Sequence, residues 1–174
     1  MPELAELKFT ADYVNQVSEG QTYVGVKKNP VHKGKDIELP FEGDFGITAE
    51  SRGKELILWL SQQEEKVPLK MTMGMSGHFK LTNTGQEPKH AHLKFYRHDG
   101  TTLSFVDVRR FGKWKLGETW GGNRGPDPTM EPDEFKLFSE NAFSPINLIE
   151  LGRLINDSSF CLKASYHISS IFDG

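Results

Sequence analysis

Between residues 3 and 18 the apolar positions Leu4, Leu7, Ala11, Val14 and Val17 recur at three-to-four spacing, one face of a helix. Gly20 follows and supplies a stop. From about residue 22 to 116 the pattern shortens to strands. Apolar and β-branched runs such as "TYVGV", "ELILWL" and "LSFVDV" are separated by clusters of turn residues. In "HAHLKFYR" the alternation places Ala91, Leu93 and Phe95 on one side and His92, Lys94 and Tyr96 on the other. The adjoining "HDGT" carries Asp-Gly, which suits a tight primed turn, so 91–97 and 102–108 are expected to pair antiparallel. "FVDVRRFGKWK" alternates as well, Phe105, Asp107 and Arg109 against Val106, Val108 and Arg110. A helix followed by about eight strands at this spacing predicts a mostly β fold with helices: a two-layer β-sandwich with an N-terminal helix packed on it.

The periodicity breaks at "GGNRGPDPTMEPDE" (121–134), which is rich in Gly, Pro and acids. Beyond it, "DEFKLF" opens a helix with Asp133 as its expected cap. Leu148, Leu151 and Ile155 give about two further helical turns, ended by Asn156-Asp157-Ser158. The expected organisation is a sandwich domain over 1–128, then a linker and an incomplete helical segment over 129–174.

Composition narrows the function classes. Hydrophobic residues make up 36% of the chain and mean hydropathy is −0.51, a globular composition with no apolar run near the roughly 20 residues of a membrane span. The start has no charged region leading into an apolar one, so no secretory signal is expected. The lone cysteine, Cys161, forms no internal disulfide and excludes a cysteine-cluster zinc site within the chain. Net charge is −3, so bulk charge does not advertise a nucleic-acid partner, and any such partner must be met by local patches.

Several stretches carry candidate chemistry. "MPE" puts Pro2 behind an initiator methionine that is normally removed before a small residue. A chain-terminal amine has a pKa of about 7.7–8.0, and a helix N-terminus lowers it further. Pro2 would then be a partly unprotonated secondary amine suited to Schiff-base formation, with Glu3 beside it and Glu6 one turn on to move a proton. Pro at the first helical position followed by Glu is equally a good helix start. In "SRGKEL", Arg52 and Lys54 flank a glycine; Lys54 can bind phosphate or carry a proton, or simply end a strand in solvent. In "MTMGMSGHF" two glycines flank Met75 and Ser76, so Met75 is either an exposed apolar wedge or a core methionine at a bend. Arg109, Arg110, Lys113 and Lys115 interleave with Phe111 and Trp114, which suits phosphates and bases, or a charged sheet edge. His90 opens a strand as a phosphate contact or an ordinary surface residue.

Taken together and in order, "MPE…E", "SRGKEL", "GMSG", "HAHLKFY" and "FVDVRRFGKW" resemble the Fpg/Nei family of DNA glycosylases, and within it the Nei-like (endonuclease VIII-like) branch of eukaryotes. The resemblance runs from Met1 to about Pro128. It implies a base-excision-repair DNA glycosylase and abasic-site lyase, which removes oxidised bases and nicks by β,δ-elimination through a proline Schiff base. Pro2 would be the nucleophile, Glu3 the proton shuttle, Glu6 part of the hydrogen-bond network and Lys54 the acid-base residue. Met75, Arg109 and Phe111 would fill the gap left by the extruded nucleotide, and Arg52, His90 and Arg110 would contact DNA. No cofactor or metal is implied; the partner is damaged DNA, single- or double-stranded, the state a monomer and the compartment the nucleus. Two departures stand out. Leu4-Ala5 replaces the family's Gly-Pro, and the family's helix-two-turn-helix and finger are not recognisable by Gly174, so the chain is expected to be truncated after the catalytic domain. The alternative is a catalytically impaired DNA-binding or protein-interaction remnant.

Overall fold

The computed structural model describes residues 4–121, 125–128 and 131–142. The chain divides into two units, Met1–Arg124 and Gly125–Gly174. Among its described residues the first holds helix α1 (Leu4–Ser18) and eight strands: β1 (Tyr23–Lys28), β2 (Gly46–Arg52), β3 (Glu55–Gln62), β4 (Glu65–Thr72), β5 (His78–Asn83), β6 (Ala91–Arg97), β7 (Thr101–Val106) and β8 (Lys113–Leu116). They form two four-stranded antiparallel sheets, ordered β1-β6-β7-β5 and β2-β3-β4-β8. The expected sandwich with an N-terminal helix is what the chain adopts.

The helical face read from the sequence is the buried one: Leu7, Ala11 and Val14 sit in a core with Leu56, Leu58 and Leu60 of β3 and Leu93, Phe95, Leu103 and Phe105 of the other sheet. Asn15 anchors α1 to the open edge of β2. Its amide donates to the Ala49 carbonyl at 2.9 Å and accepts from the Ala49 N–H at 2.7 Å. One side chain thus satisfies both groups that an edge strand leaves unpaired at that residue. Arg97, at the end of β6, donates to the Val17 carbonyl and to the Tyr23 hydroxyl. A guanidinium there satisfies an orphan carbonyl at the negative end of the helix dipole.

Two local readings within the sandwich differ from the structure. His92 is buried rather than outward-facing. The register of β6 against β7 shifts between Ala91 and Leu93, so an extra residue enters the strand there and the strict alternation fails at His92. The alternation read through Arg110 stops at Val106, where β7 ends and the chain turns away at Asp107.

In the second unit α2 spans Pro132–Ala142. It starts at Pro132, not behind an Asp133 cap: the Phe135 N–H already donates to the Glu131 carbonyl at 2.9 Å, leaving Asp133 in the first turn. Proline suits that position because its missing N–H is one the helix cannot use. The turns expected around Leu148–Ile155 lie outside the described residues.

Candidate nucleic-acid interface

Strand register gathers the candidate residues at one end of the sandwich. In one sheet Arg52 pairs with Glu55, Leu56 with Met71, and Thr72 with Lys113. The Gly53–Lys54 turn, the exit of β4 and the start of β8 therefore share an end. In the other sheet His78 and Ala91 both pair with Val106, and Lys28 pairs with Leu93. Two connections, 73–77 and 107–112, cross between the sheets at this same rim, and they carry Met75, Arg109 and Phe111.

Met71 and Met73 are buried, and Met75 is 58% exposed. Phe111 is 59% exposed. With Val108 also exposed on the same crossing, they make a group of bare apolar side chains on adjacent loops rather than a scattered one. The Arg109 guanidinium lies 3.4 Å from the Met75 sulfur. Glycines let the loops come this close. A Cβ on Gly77 would stand 2.2 Å from the Met73 carbonyl oxygen, and one on Gly112 2.6 Å from the Phe105 ring. Gly74, at φ +61°, has the Gly112 nitrogen 2.8 Å from where its Cβ would be.

Asp107 ties the two crossings together. Fully buried, its carboxylate accepts from the Ser76 hydroxyl, from the Arg109 N–H at 3.2 Å and from the Gly112 N–H at 2.7 Å. Burial pushes its pKa up, but the Ser76 hydroxyl and the Gly112, Arg109 and Arg110 amides together outweigh that and hold it below the usual aspartate value. Arg110 sits at φ +57°, a conformation that costs a non-glycine residue about 1 kcal/mol. The bonds to Asp107 on either side hold that turn. Neither Asp107 nor Ser76 stood out in the sequence as a site residue. The one signal was an acid placed inside an apolar strand run, directly before a basic stretch.

The other candidates are placed as follows. Lys54 and Arg52 are half-buried at the β2–β3 turn, where Gly53, at φ +56°, takes the first of two turn positions, the one a type II′ turn reserves for glycine. Val17 meets Arg97 at the far end of β6, Asn15 meets the middle of β2, and the Tyr13 hydroxyl accepts from Leu81 N–H in β5. The helix therefore advances from the far end toward the rim, and Leu4 lies about 16 Å beyond Asn15 along its axis. Glu6, in the first turn, is exposed. His90 is half-buried and its carbonyl accepts the Asp107 N–H at 3.0 Å. Pro2 and Glu3 lie outside the described residues.

Behind the rim, His32 stacks on Trp114 with ring centroids 4.3 Å apart, and His92 lies 5.1 Å from His32. His92 Nε2 donates to the Asp107 carbonyl at 2.9 Å, so its buried Nδ1 is the unprotonated nitrogen and has no hydrogen-bond partner among the described residues. Burial lowers the pKa of both imidazoles, and the His92 ring lowers that of His32 further. Among the described residues no cluster of three His, Cys, Asp or Glu stands ready for a metal ion.

The sequence model of the formamidopyrimidine-DNA glycosylase N-terminal domain matches residues 1–114. The chain belongs to this family. Among its relatives, endonuclease 8-like 1 of Homo sapiens is 40% identical over 147 residues, covering 78% of this chain and 37% of that protein. Formamidopyrimidine-DNA glycosylase of Mycolicibacterium smegmatis is 32% identical over 140 residues, covering 74% of this chain and 47% of that one. The chain thus spans less than half the length of either relative. In three dimensions it is similar to an inhibited LlFpg in complex with N7-benzyl-Fapy-dG-containing DNA, with a TM-score of 0.54 and 25% identity, covering 66% of this chain and 43% of that one. MutM bound to DNA containing carbocyclic 8-oxo-G shares the fold at a TM-score of 0.57. Both solved neighbours hold DNA.

Proposed function

We propose that this chain is the catalytic domain of a base-excision-repair DNA glycosylase and abasic-site lyase acting on oxidised bases in the nucleus. The observation that carries the reading is the rim pair of interlocked loops, with Met75 and Phe111 bare, Arg109 against the Met75 sulfur and Arg110 alongside. Chemistry at a deoxyribose C1′ requires the nucleotide outside the stack, and apolar groups inserted in its place offset the lost stacking. Arg52, His90 and Arg110 meet the backbone around that point.

Pro2, freed by loss of Met1, attacks C1′ with the nitrogen lone pair. The base leaves with the electrons of the glycosidic bond and takes up the proton that the attacking amine gives up, and Glu3 protonates the sugar ring oxygen as the ring opens to the Schiff base. Glu6 orders the hydrogen bonds around this step. The iminium acidifies the adjacent C2′–H. Removal of that proton expels the 3′ phosphate, and a second elimination expels the 5′ phosphate, with Lys54 moving the protons. No cofactor is needed, because the amine itself supplies the electron sink. A monomer suffices, since all these groups come from one chain.

Borohydride reduction of the chain with abasic DNA tests this reading. The expected result is a covalent adduct that peptide mass spectrometry maps to Pro2. Binding without an adduct, or an adduct on a lysine alone, overturns the lyase chemistry and leaves a non-catalytic DNA-binding module.

A further inference from the structure

A second basic feature adjoins the rim and joins Lys33 and Lys35, which have no role so far, to the basic run Arg109–Lys115. After β1 the chain makes a series of tight turns fixed to β6. The Asn29 N–H donates to the His92 carbonyl at 2.8 Å, and His32 N–H donates back to the Asn29 carbonyl at 3.0 Å. The Gly34 N–H then donates to His32 Nδ1 at 2.9 Å, and the Trp114 indole N–H donates to the Lys35 carbonyl at 2.9 Å. A Cβ on Gly34 would lie 3.0 Å from the Trp114 ring, so the loop is packed flat on the His32–Trp114 stack. Lys33 and Lys35 are held exposed on either side of Gly34.

Facing them, β8 alternates Lys113 and Lys115 outward with Trp114 inward. Between loop and strand lies an open groove of about 710 Å³, lined by Lys33, Lys35, Arg109, Arg110, Lys113 and Lys115. Among the described residues one acid lines it, Asp36, which faces Lys28 at 3.7 Å. Lys115 pairs with Glu118. Lys33, Lys35 and Lys113 have no ion pair among the described residues. In a chain of net charge −3, this many cations on a rigid, aromatic-backed groove repel one another unless a polyanion lies between them.

We propose that this groove carries the phosphate backbone of duplex DNA flanking the nucleotide engaged at the rim. It begins at Arg109 and Arg110, next to Met75 and Phe111, so a strand at the rim continues directly into it. The inference rests on the DNA-binding reading above but not on its covalent step. Lys33, Lys35 and Lys113 are positioning residues that supply affinity irrespective of the base.

The test is a salt titration of full-chain binding to two labelled duplexes, one undamaged and one with a stable abasic-site analogue. Each lost phosphate contact reduces the slope of log affinity against log salt by about 0.9. The variant Lys33→Gln/Lys35→Gln/Lys113→Gln is expected to lower the slope by about 2–3 and to weaken both duplexes by the same factor, tenfold or more at low salt. The matching Lys→Arg variant is expected to keep the wild-type slope. An unchanged slope in a Gln variant that melts like wild type overturns the groove assignment, as does weakening confined to the abasic duplex. If the wild-type chain binds neither duplex, the DNA reading itself falls. Absence of a Pro2 adduct leaves the slope comparison intact.

Discussion

Replacing Asp107 with Asn tests whether one carboxylate holds the rim together. The side chain is isosteric, so packing is unchanged and only hydrogen bonding is altered. Asp107 accepts from the Ser76 hydroxyl, the Arg109 N–H and the Gly112 N–H. Asn offers one acceptor oxygen and a donating NH₂. The least costly orientation keeps the oxygen on Gly112, the shorter backbone bond, and turns the NH₂ toward Ser76, whose hydroxyl can accept. Arg109 N–H then retains only its contact with Ser76 Oγ, at 3.2 Å. A hydrogen bond to a charged acceptor contributes about 1.5–3 kcal/mol against about 0.5–1.5 for a neutral one. Losing the charge from three such bonds, one of them partly exposed, comes to about 2–3 kcal/mol. For a unit of this size that lowers Tm by about 6–12 °C.

The pH dependence checks the cause. The Asp107 pKa is held below its ordinary 3.8 in the fold. Its contribution is therefore complete above the unfolded value and lost as pH falls through the folded one. The gap in Tm between wild type and Asp107→Asn should be full at neutral pH and close in strong acid. Melts by circular dichroism across that range, with amide exchange at Gly112 and Arg109, measure both effects. A variant that melts within about 2 °C of wild type at pH 7, where the loss works out to several degrees, refutes the reasoning. So does a gap that persists unchanged into acid.

Other perturbations address separate parts of the same end. Gly77→Ala forces a Cβ to within 2.2 Å of the Met73 carbonyl and against the Phe105 ring; it should cost about 3 kcal/mol or more in a chemical-denaturant melt. Met75→Ala should leave Tm almost unchanged, because the side chain is mostly exposed, while abolishing any preference for an abasic-analogue duplex over an intact one in competition binding. His32 and His92 have lowered pKa values, so the unfolded chain binds more protons below about pH 6.5 and stability should fall as pH drops through that range. His92→Gln should flatten that part of the profile, read from denaturant midpoints between pH 7 and 5.

What the sequence revealed and what it hid follow from the range of the forces involved. Local regularities were legible: the apolar spacing of Leu7, Ala11 and Val14 fixed α1, and Asp99-Gly100 fixed the β6–β7 hairpin. The methionine run was legible only as a choice, because Met71, Met73 and Met75 look alike in sequence; the strand ends between them and leaves the third outside. The hidden features rest on contacts between distant segments. Asp107 looks like one more alternating residue until Ser76, 31 positions earlier, is brought beside it. His92 reads as outward until a single inserted residue turns it in toward Asp107 and His32. Lys33 and Lys35 read as loop charge until Trp114, 79 positions after Lys35, clamps their backbone. The contacts missed in sequence thus converge on Asp107 and Trp114, which bracket the stretch Val108–Lys113. The basic run attracted notice for its charge, but its use depends on the two flanking residues that make it rigid. Flexible arginines and lysines would bind phosphate anywhere along the chain's reach and hold no nucleotide in register. Because one carboxylate fixes the loop bearing Arg109 and Phe111 and one indole fixes the loop bearing Lys35, the exposed Met75–Phe111 pair and the basic groove keep a constant spacing. That is the condition for a single DNA strand to engage both at once.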